Sequence, residues 1–154
     1  MQKRLAIASD HAGFDLKEQL KPYLEEKGYE LVDFGTDSSE SCDYADYGHP
    51  AAEAVETGKC DIGIAMCGSG NGIQMTLNKH QGIRAALCWL PELAELARKH
   101  NDANFLVLPA RFISFNEAKK IVDVYLTTPF EGGRHERRIK KIPLKNISVE
   151  GEIL

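Results

Sequence analysis

A chain of 154 residues fits one domain, at roughly 100–200 residues per domain, and can bury a core without disulfide or metal staples. With 43% hydrophobic and 27% charged residues it is neither a disordered chain nor a fibre. Its 19 basic and 23 acidic side chains leave a net charge of −4, which argues against a nucleic-acid partner and an anionic membrane surface. The longest strictly apolar run, Ala85 to Leu90, falls far short of the roughly 20 residues of a membrane span. Leu5 to Ala8 is too short for the core of a secretory signal. The four cysteines Cys42, Cys60, Cys67 and Cys88 make no C-x-x-C pair, so free thiols in a reducing, cytoplasmic compartment are expected.

Short apolar runs recur along the chain at Leu5–Ala8, Tyr29–Phe34, Ile62–Met66, Ile83–Leu87 and Phe105–Leu108. They read as strands, with helical patterns between them. Leu16, Leu20 and Leu24 repeat every four residues, although Pro22 should kink that helix near Glu18 or end it early. Pro91 suits the first turn of a helix carrying Leu93 and Leu96. Ala118, Ile121, Val122, Tyr125 and Leu126 form an amphipathic stripe, opened by a capping box of Ser114 and Glu117. Five strands alternating with helices predict a single-domain, Rossmann-like α/β/α sandwich whose five-stranded sheet is mostly parallel. The domain should span 1–142, and a tail, 143–154, loses the pattern.

Ligands of such sheets bind beyond the carboxyl ends of the strands, so the residues after each run carry the chemistry. After the first run stands Asp10-His11-Ala12-Gly13, and after the third Cys67-Gly68-Ser69-Gly70-Asn71-Gly72. Three glycines in five residues let a backbone turn tightly and direct N–H groups inward, with a helix starting at Ile73. The segment is neither a Walker A loop nor G-x-G-x-x-G, and a plain strand-to-helix turn would also fit. A thiol at Cys67, before such a loop, is expected to lose pKa and serve as a base. Cys60 and Cys88 read as small buried hydrophobes and Cys42 as a loop residue.

No two of the five histidines share a strong metal-ligand spacing, so no metal is expected. His49 and His80 read as surface residues. His100-Asn101-Asp102-Ala103-Asn104 is either a helix C-cap and turn or a functional polar cluster. Arg134 and Arg138 are i, i+4 partners after Gly132-Gly133, suited either to gripping a phosphate or to a solvated basic helix.

Together these segments resemble the type B ribose-5-phosphate isomerases, grouped with the galactose-6-phosphate isomerase subunits. The resemblance is carried by Ser9-Asp10-His11-Ala12-Gly13-Phe14, Gly35-Thr36 with Asp43-Tyr44, and Cys67 through Ile73. Asn78-Lys79, Gly82-Ile83-Arg84-Ala85, the His100–Asn104 segment and Glu131-Gly132-Gly133-Arg134-His135 continue it in order, over about residues 3 to 142. Ser69 stands where many members have Thr, which keeps the hydroxyl, and the cysteine at 67 favours the pentose branch.

The resemblance implies interconversion of ribose 5-phosphate and ribulose 5-phosphate through an enediolate. Cys67 would take the C2 proton. Ser69 and the amides of Gly68, Gly70, Asn71 and Gly72 would hold the developing anion. His100 would assist ring opening, Asp10 and Tyr44 would contact the sugar, and His11, Arg134 and Arg138 would hold the phosphate. His100, Asn101 and Arg111 would reach in from the other subunit of a homodimer or dimer of dimers. No cofactor or metal is implied. The alternatives are an isomerase of a six-carbon sugar phosphate, such as allose or galactose 6-phosphate, and a non-catalytic sugar-phosphate or nucleotide binding module.

Overall fold

A computed structural model describes residues 3–145, together with 148–149 and 152–153. The five apolar runs form Arg4–Ser9 (β1), Glu30–Asp33 (β2), Ile62–Cys67 (β3), Ala85–Leu87 (β4) and Phe105–Pro109 (β5). They make one sheet in the order β2-β1-β3-β5-β4, and every pairing is parallel rather than mostly so. The helices are Phe14–Glu26 (α1), Tyr44–Glu56 (α2), Asn71–Leu77 (α3), Pro91–Asn101 (α4), Phe115–Thr127 (α5) and Arg134–Ile139 (α6). Two residue pairs of the expected tail, Ser148–Val149 (β6) and Glu152–Ile153 (β7), pair antiparallel, and the rest of 146–154 lies outside the described residues. Among the described residues no helix is long and apolar enough to cross a membrane.

Alternation along the strands builds two cores, one on each face. Leu5, Ile7, Ile64, Met66, Leu106 and Leu108 face one side and meet α1, α4 and α5 through Leu20, Ala97 and Ile121. Ala6, Ala8 and Ala65 face the other side, where they meet Ala51, Ala52 and Val55 of α2 and Ile73 and Leu77 of α3. Small side chains dominate this second face, so α2 buries alanines rather than a stripe of leucines. That weak pattern, with Pro50 inside the helix, hides α2 from a periodicity reading.

Pro22 does not end α1, contrary to expectation: the helix runs on to Glu26. Proline removes one intrahelical bond, but Leu16, Leu20 and Leu24 are buried on both sides of it and pin the helix to the sheet. The other two start signals hold. Pro91 opens α4, and Ser114 Oγ accepts the Glu117 N–H at 3.1 Å to cap α5.

The chain winds outward from β1 to β2 and then returns to place β3 on the other side of β1. The order of strands therefore reverses between β1 and β3, and the crevice beyond their carboxyl ends is where such sheets bind ligands.

Candidate active site

That crevice collects one group of the expected residues. The Asp10 carboxylate follows β1 and is spent locally, its Oδ1 accepting the N–H groups of Ala12 and Gly13 at 2.9 and 3.1 Å. This caps the short turn His11–Gly13 and fixes His11, whose Nδ1 accepts the Cys42 N–H at 3.2 Å. Cys67 ends β3, buried, and the glycine segment turns directly into α3. Gly70 sits at φ 82°, where a side chain would be strained, and a Cβ there would stand 2.4 Å from Leu87 Cδ1. Gly72 lets the Tyr44 ring lie flat on the loop, since a Cβ would stand 2.4 Å from Tyr44 Cζ. Tyr44 therefore borders the loop from α2, half in solvent.

The thiol of Cys67 departs from expectation. The backbone N–H groups of Ile73, Gly70 and Gly72 pull its pKa down and favour the thiolate. Burial outweighs them, the Asp10 carboxylate adds to it, and the pKa is raised rather than lowered. Two amides expected to hold the substrate's developing charge, those of Gly70 and Gly72, thus also act on the sulfur. Asn71 is also engaged: its N–H and its Nδ2 donate to Ser69 Oγ at 3.3 and 3.2 Å. A hydroxyl has two acceptor lone pairs and one hydrogen. With both lone pairs used, the Ser69 hydrogen is left to donate outward.

Arg111 also lies here, beside the glycine loop of its own chain. Its N–H donates to the Gly68 carbonyl at 3.0 Å, and a Cβ on Gly68 would stand 3.3 Å from its Nη1. Within one chain, then, Arg111 neighbours the loop that the resemblance would have it reach from another subunit. The β5–α5 connection that bears it grows from the strand paired with β3, so the two loops are neighbours by register.

His100, Asn101, Arg134 and Arg138 form a second group at the other end of the sheet. His100 and Asn101 end α4, just before Asn104, whose carbonyl accepts the Gly63 N–H at the amino end of β3. The segment is indeed a helix C-cap: Asp102 is left-handed at φ 45°, and the Arg84 guanidinium binds the carbonyls of Asn101 and Asp102. Arg134 and Arg138 lie exposed on α6, which packs against α4. One chain therefore does not bring the two groups together.

The second group includes two residues to which the sequence reading assigned no role. Glu131 Oε2 lies 3.5 Å from His100 Nε2, and the His135 ring stacks on His100 with centroids 4.4 Å apart. Their signal was the Gly132-Gly133 pair between them, which bends the chain back onto α4. Among the described residues His100, Glu131 and His135 are the set that could hold a cation, with ligand atoms within 4.8 Å of one another. Rings only 13° from parallel, however, direct their in-plane lone pairs side by side rather than at one point. His49 and His80 are neighbours bonded to each other at 2.8 Å, and His80 lines one cavity with Asn101 of the second group.

A buried thiol before a glycine turn at the switch point of a parallel sheet, with a guanidinium alongside, defines a doubly wound α/β protein equipped for a small anionic ligand. The chain belongs to the Ribose/Galactose Isomerase family, whose sequence model matches residues 5–142. It is 45% identical to ribose-5-phosphate isomerase B of Escherichia coli over 140 residues, 91% of this chain and 94% of that protein. A ribose 5-phosphate isomerase from Thermotoga maritima superposes with a TM-score of 0.91 at 52% identity, over 93% of this chain and 99% of that one. A ribose-5-phosphate isomerase B from Mycoplasma genitalium with bound ribulose 5-phosphate does so with a TM-score of 0.87 at 42% identity, over 90% and 93% of the two chains.

Proposed function

We propose that the protein interconverts ribose 5-phosphate and ribulose 5-phosphate in sites shared between two subunits. The observation that carries this reading is the division of the site residues between the two ends of the sheet. Cys67, Ser69, Asp10, His11, Tyr44 and Arg111 stand at the carboxyl end, and His100, Asn101, Arg134 and Arg138 at the amino end. A second copy supplying its amino end to this carboxyl end completes a site, and two-fold symmetry makes the exchange reciprocal. The bound ketose phosphate of the Mycoplasma genitalium relative supports the substrate class. The four free cysteines fit a reducing cytoplasm.

In this reading His11 and Arg111 of one chain meet Arg134 and Arg138 of its partner around the phosphate, where guanidiniums bind by paired charged hydrogen bonds. His100 of the partner opens the sugar ring. Cys67 then takes the C2 proton and returns it at C1 (the O1 carbonyl becomes the hydroxyl, and O2 the ketone). The enediolate between them is held by the outward hydrogen of Ser69 and the amide of Gly68. Asp10 keeps its second oxygen and Tyr44 its hydroxyl for the sugar. Because Cys67 starts as a buried thiol, the substrate must meet it in its ionised form, which only a small fraction of molecules present at neutral pH.

The test is an initial-rate assay of ribose 5-phosphate beside allose 6-phosphate, galactose 6-phosphate and unphosphorylated ribose, with chelator present. Turnover of ribose 5-phosphate at least tenfold above the hexose phosphates, and negligible turnover of ribose, is expected. Preference for a hexose phosphate would move the protein to the six-carbon branch, and binding without turnover would leave it a binding module.

A further inference from the structure

His100 is held from two sides by one short stretch of chain. After α5 the Glu131 N–H donates to the Lys99 carbonyl at 3.1 Å, docking the segment on the last turn of α4. Gly132 at φ 71° and Gly133 at φ 61° then reverse it, a pair of left-handed residues that side chains would resist. Glu131 is thereby set against the edge of the His100 ring, and His135, two residues past the turn, against its face. The edge contact is 3.5 Å, long for a hydrogen bond, as catalytic contacts often are before substrate arrives. The face contact is a stack with rings 13° from parallel. His135 is buried, and that burial, with the Arg134 guanidinium beside it, pushes its pKa down, so it offers a neutral ring.

We propose that Glu131 and His135 are positioning residues for His100 in sugar ring opening. Glu131 determines which imidazole nitrogen carries the proton, and His135 holds the plane of the ring. This rests on the reading of His100 given above. In the step, the O1–H proton is removed, the C1–O4 bond breaks to leave C1=O1, and O4 takes up a proton. An imidazole serves this step only in one tautomer and one orientation. His100 ends a helix with its side chain 40% exposed, so within its own chain little else restrains it.

The reaction itself separates positioning from mere structure, because ribose 5-phosphate must be opened on the protein whereas the open-chain aldose made from acyclic ribulose 5-phosphate can leave and close in water. In the full-length protein, Glu131→Ala and His135→Ala should each lower kcat on ribose 5-phosphate about tenfold, and kcat on ribulose 5-phosphate less than threefold. Glu131→Gln, which keeps an acceptor, and His135→Phe, which keeps a flat ring, should recover part of the loss. Equal losses on both substrates in variants with unchanged Tm would overturn the proposal, as would no loss on ribose 5-phosphate. Should His135→Ala fail to fold, the exposed Glu131→Gln and Glu131→Ala pair decides alone. A wild-type protein inactive on both pentose phosphates would instead overturn the functional reading, and this inference with it.

Discussion

Cys67 and His100 stand at opposite ends of the same sheet. Cys67 pairs with Pro109 at the carboxyl end of β5, while His100 precedes Asn104, which bonds to Gly63 at the amino end of β3. From Gly63 to Cys67 the strand climbs four residues, about 13 Å at roughly 3.3 Å per residue. No rotamer change closes such a gap. If both residues act on one sugar, they come from two chains.

The base can be tested through its sulfur. Cys67→Ser keeps the shape and removes the ionisable thiol, so kcat should fall at least about a hundredfold, as for loss of a general base, with KM little changed. A near-normal kcat in this variant would sink the assignment. Since burial raises the thiol's pKa from the ordinary value of 9.0, the base is mostly protonated at neutral pH. Activity of the wild type should therefore keep rising with pH through 8 and 9, rather than level off near 7. Iodoacetamide inactivation should rise in parallel and be slowed by substrate, measured in a Cys42→Ser background because Cys42 is the one cysteine that is not buried.

The Cys67 loop shows where the sequence was legible and where it was not. The strands, α1, α4 and α5, the α/β class and the thiol loop were readable because apolar spacing and glycine clusters are local signals. The loop's turn from β3 into α3 was readable too. The sign of the pKa shift was not, because burial and the Asp10 charge depend on β1 lying beside β3. Strand order likewise put Arg111 beside Gly68 of its own chain. The α2 helix was lost to its small residues, and Glu131 was overlooked because its contact with His100 depends on a turn between distant elements.

A stability prediction follows from Lys17, a fully buried ammonium whose Nζ donates to both Asp33 oxygens at 2.9 and 2.7 Å. Asp33 in turn accepts the Gly35 N–H, and the Gly35 carbonyl accepts the Ser9 N–H, so the pair braces the β2 loop beside Asp10. Lys17→Met leaves Asp33 with Lys21 alone among the lysines, and should cost about 1–3 kcal/mol, the penalty for removing one partner of a charged hydrogen bond. Burial alone would raise the Asp33 carboxyl, but Lys17, Lys21 and the Gly35 N–H outweigh it and hold the pKa below 3.8. A depressed carboxyl stabilises the fold above its unfolded value, about 3.9, and that contribution fades as pH falls through the folded value. The Tm gap between wild type and Lys17→Met should thus be full at pH 6 and shrink below about pH 4. A gap that stays constant down to pH 2.5 would refute the coupling.

The phosphate grip makes a separate prediction. Arg134→Ala or Arg138→Ala should raise KM for ribose 5-phosphate by about 10- to 100-fold, the equivalent of roughly 1.5–3 kcal/mol for a charged hydrogen bond. Arg134→Lys should recover only part, because an ammonium lacks the planar fork. An unchanged KM in both alanine variants would mean that α6 is a solvated basic helix.

The shared site itself is tested by mixing subunits. Cys67→Ser damages the carboxyl-end half of a site and His100→Ala the amino-end half, so each homodimer should be nearly dead. After exchange, equal amounts give about half heterodimers, each with one doubly damaged site and one intact site, hence about one quarter of wild-type activity. The count rests on a two-fold interface that lends residues reciprocally. The position of Arg111 adds a control. Because it lies beside Gly68 of its own chain, Cys67→Ser mixed with Arg111→Ala damages the carboxyl-end half in both subunits, and every site keeps a defect. Cys67→Ser mixed with Arg134→Ala should recover like the His100 pair. Recovery in the Arg111 mixture would place that arginine in the partner's site after all. No recovery in the His100 mixture, with heterodimers verified by mass spectrometry, would mean that each site is built within one chain.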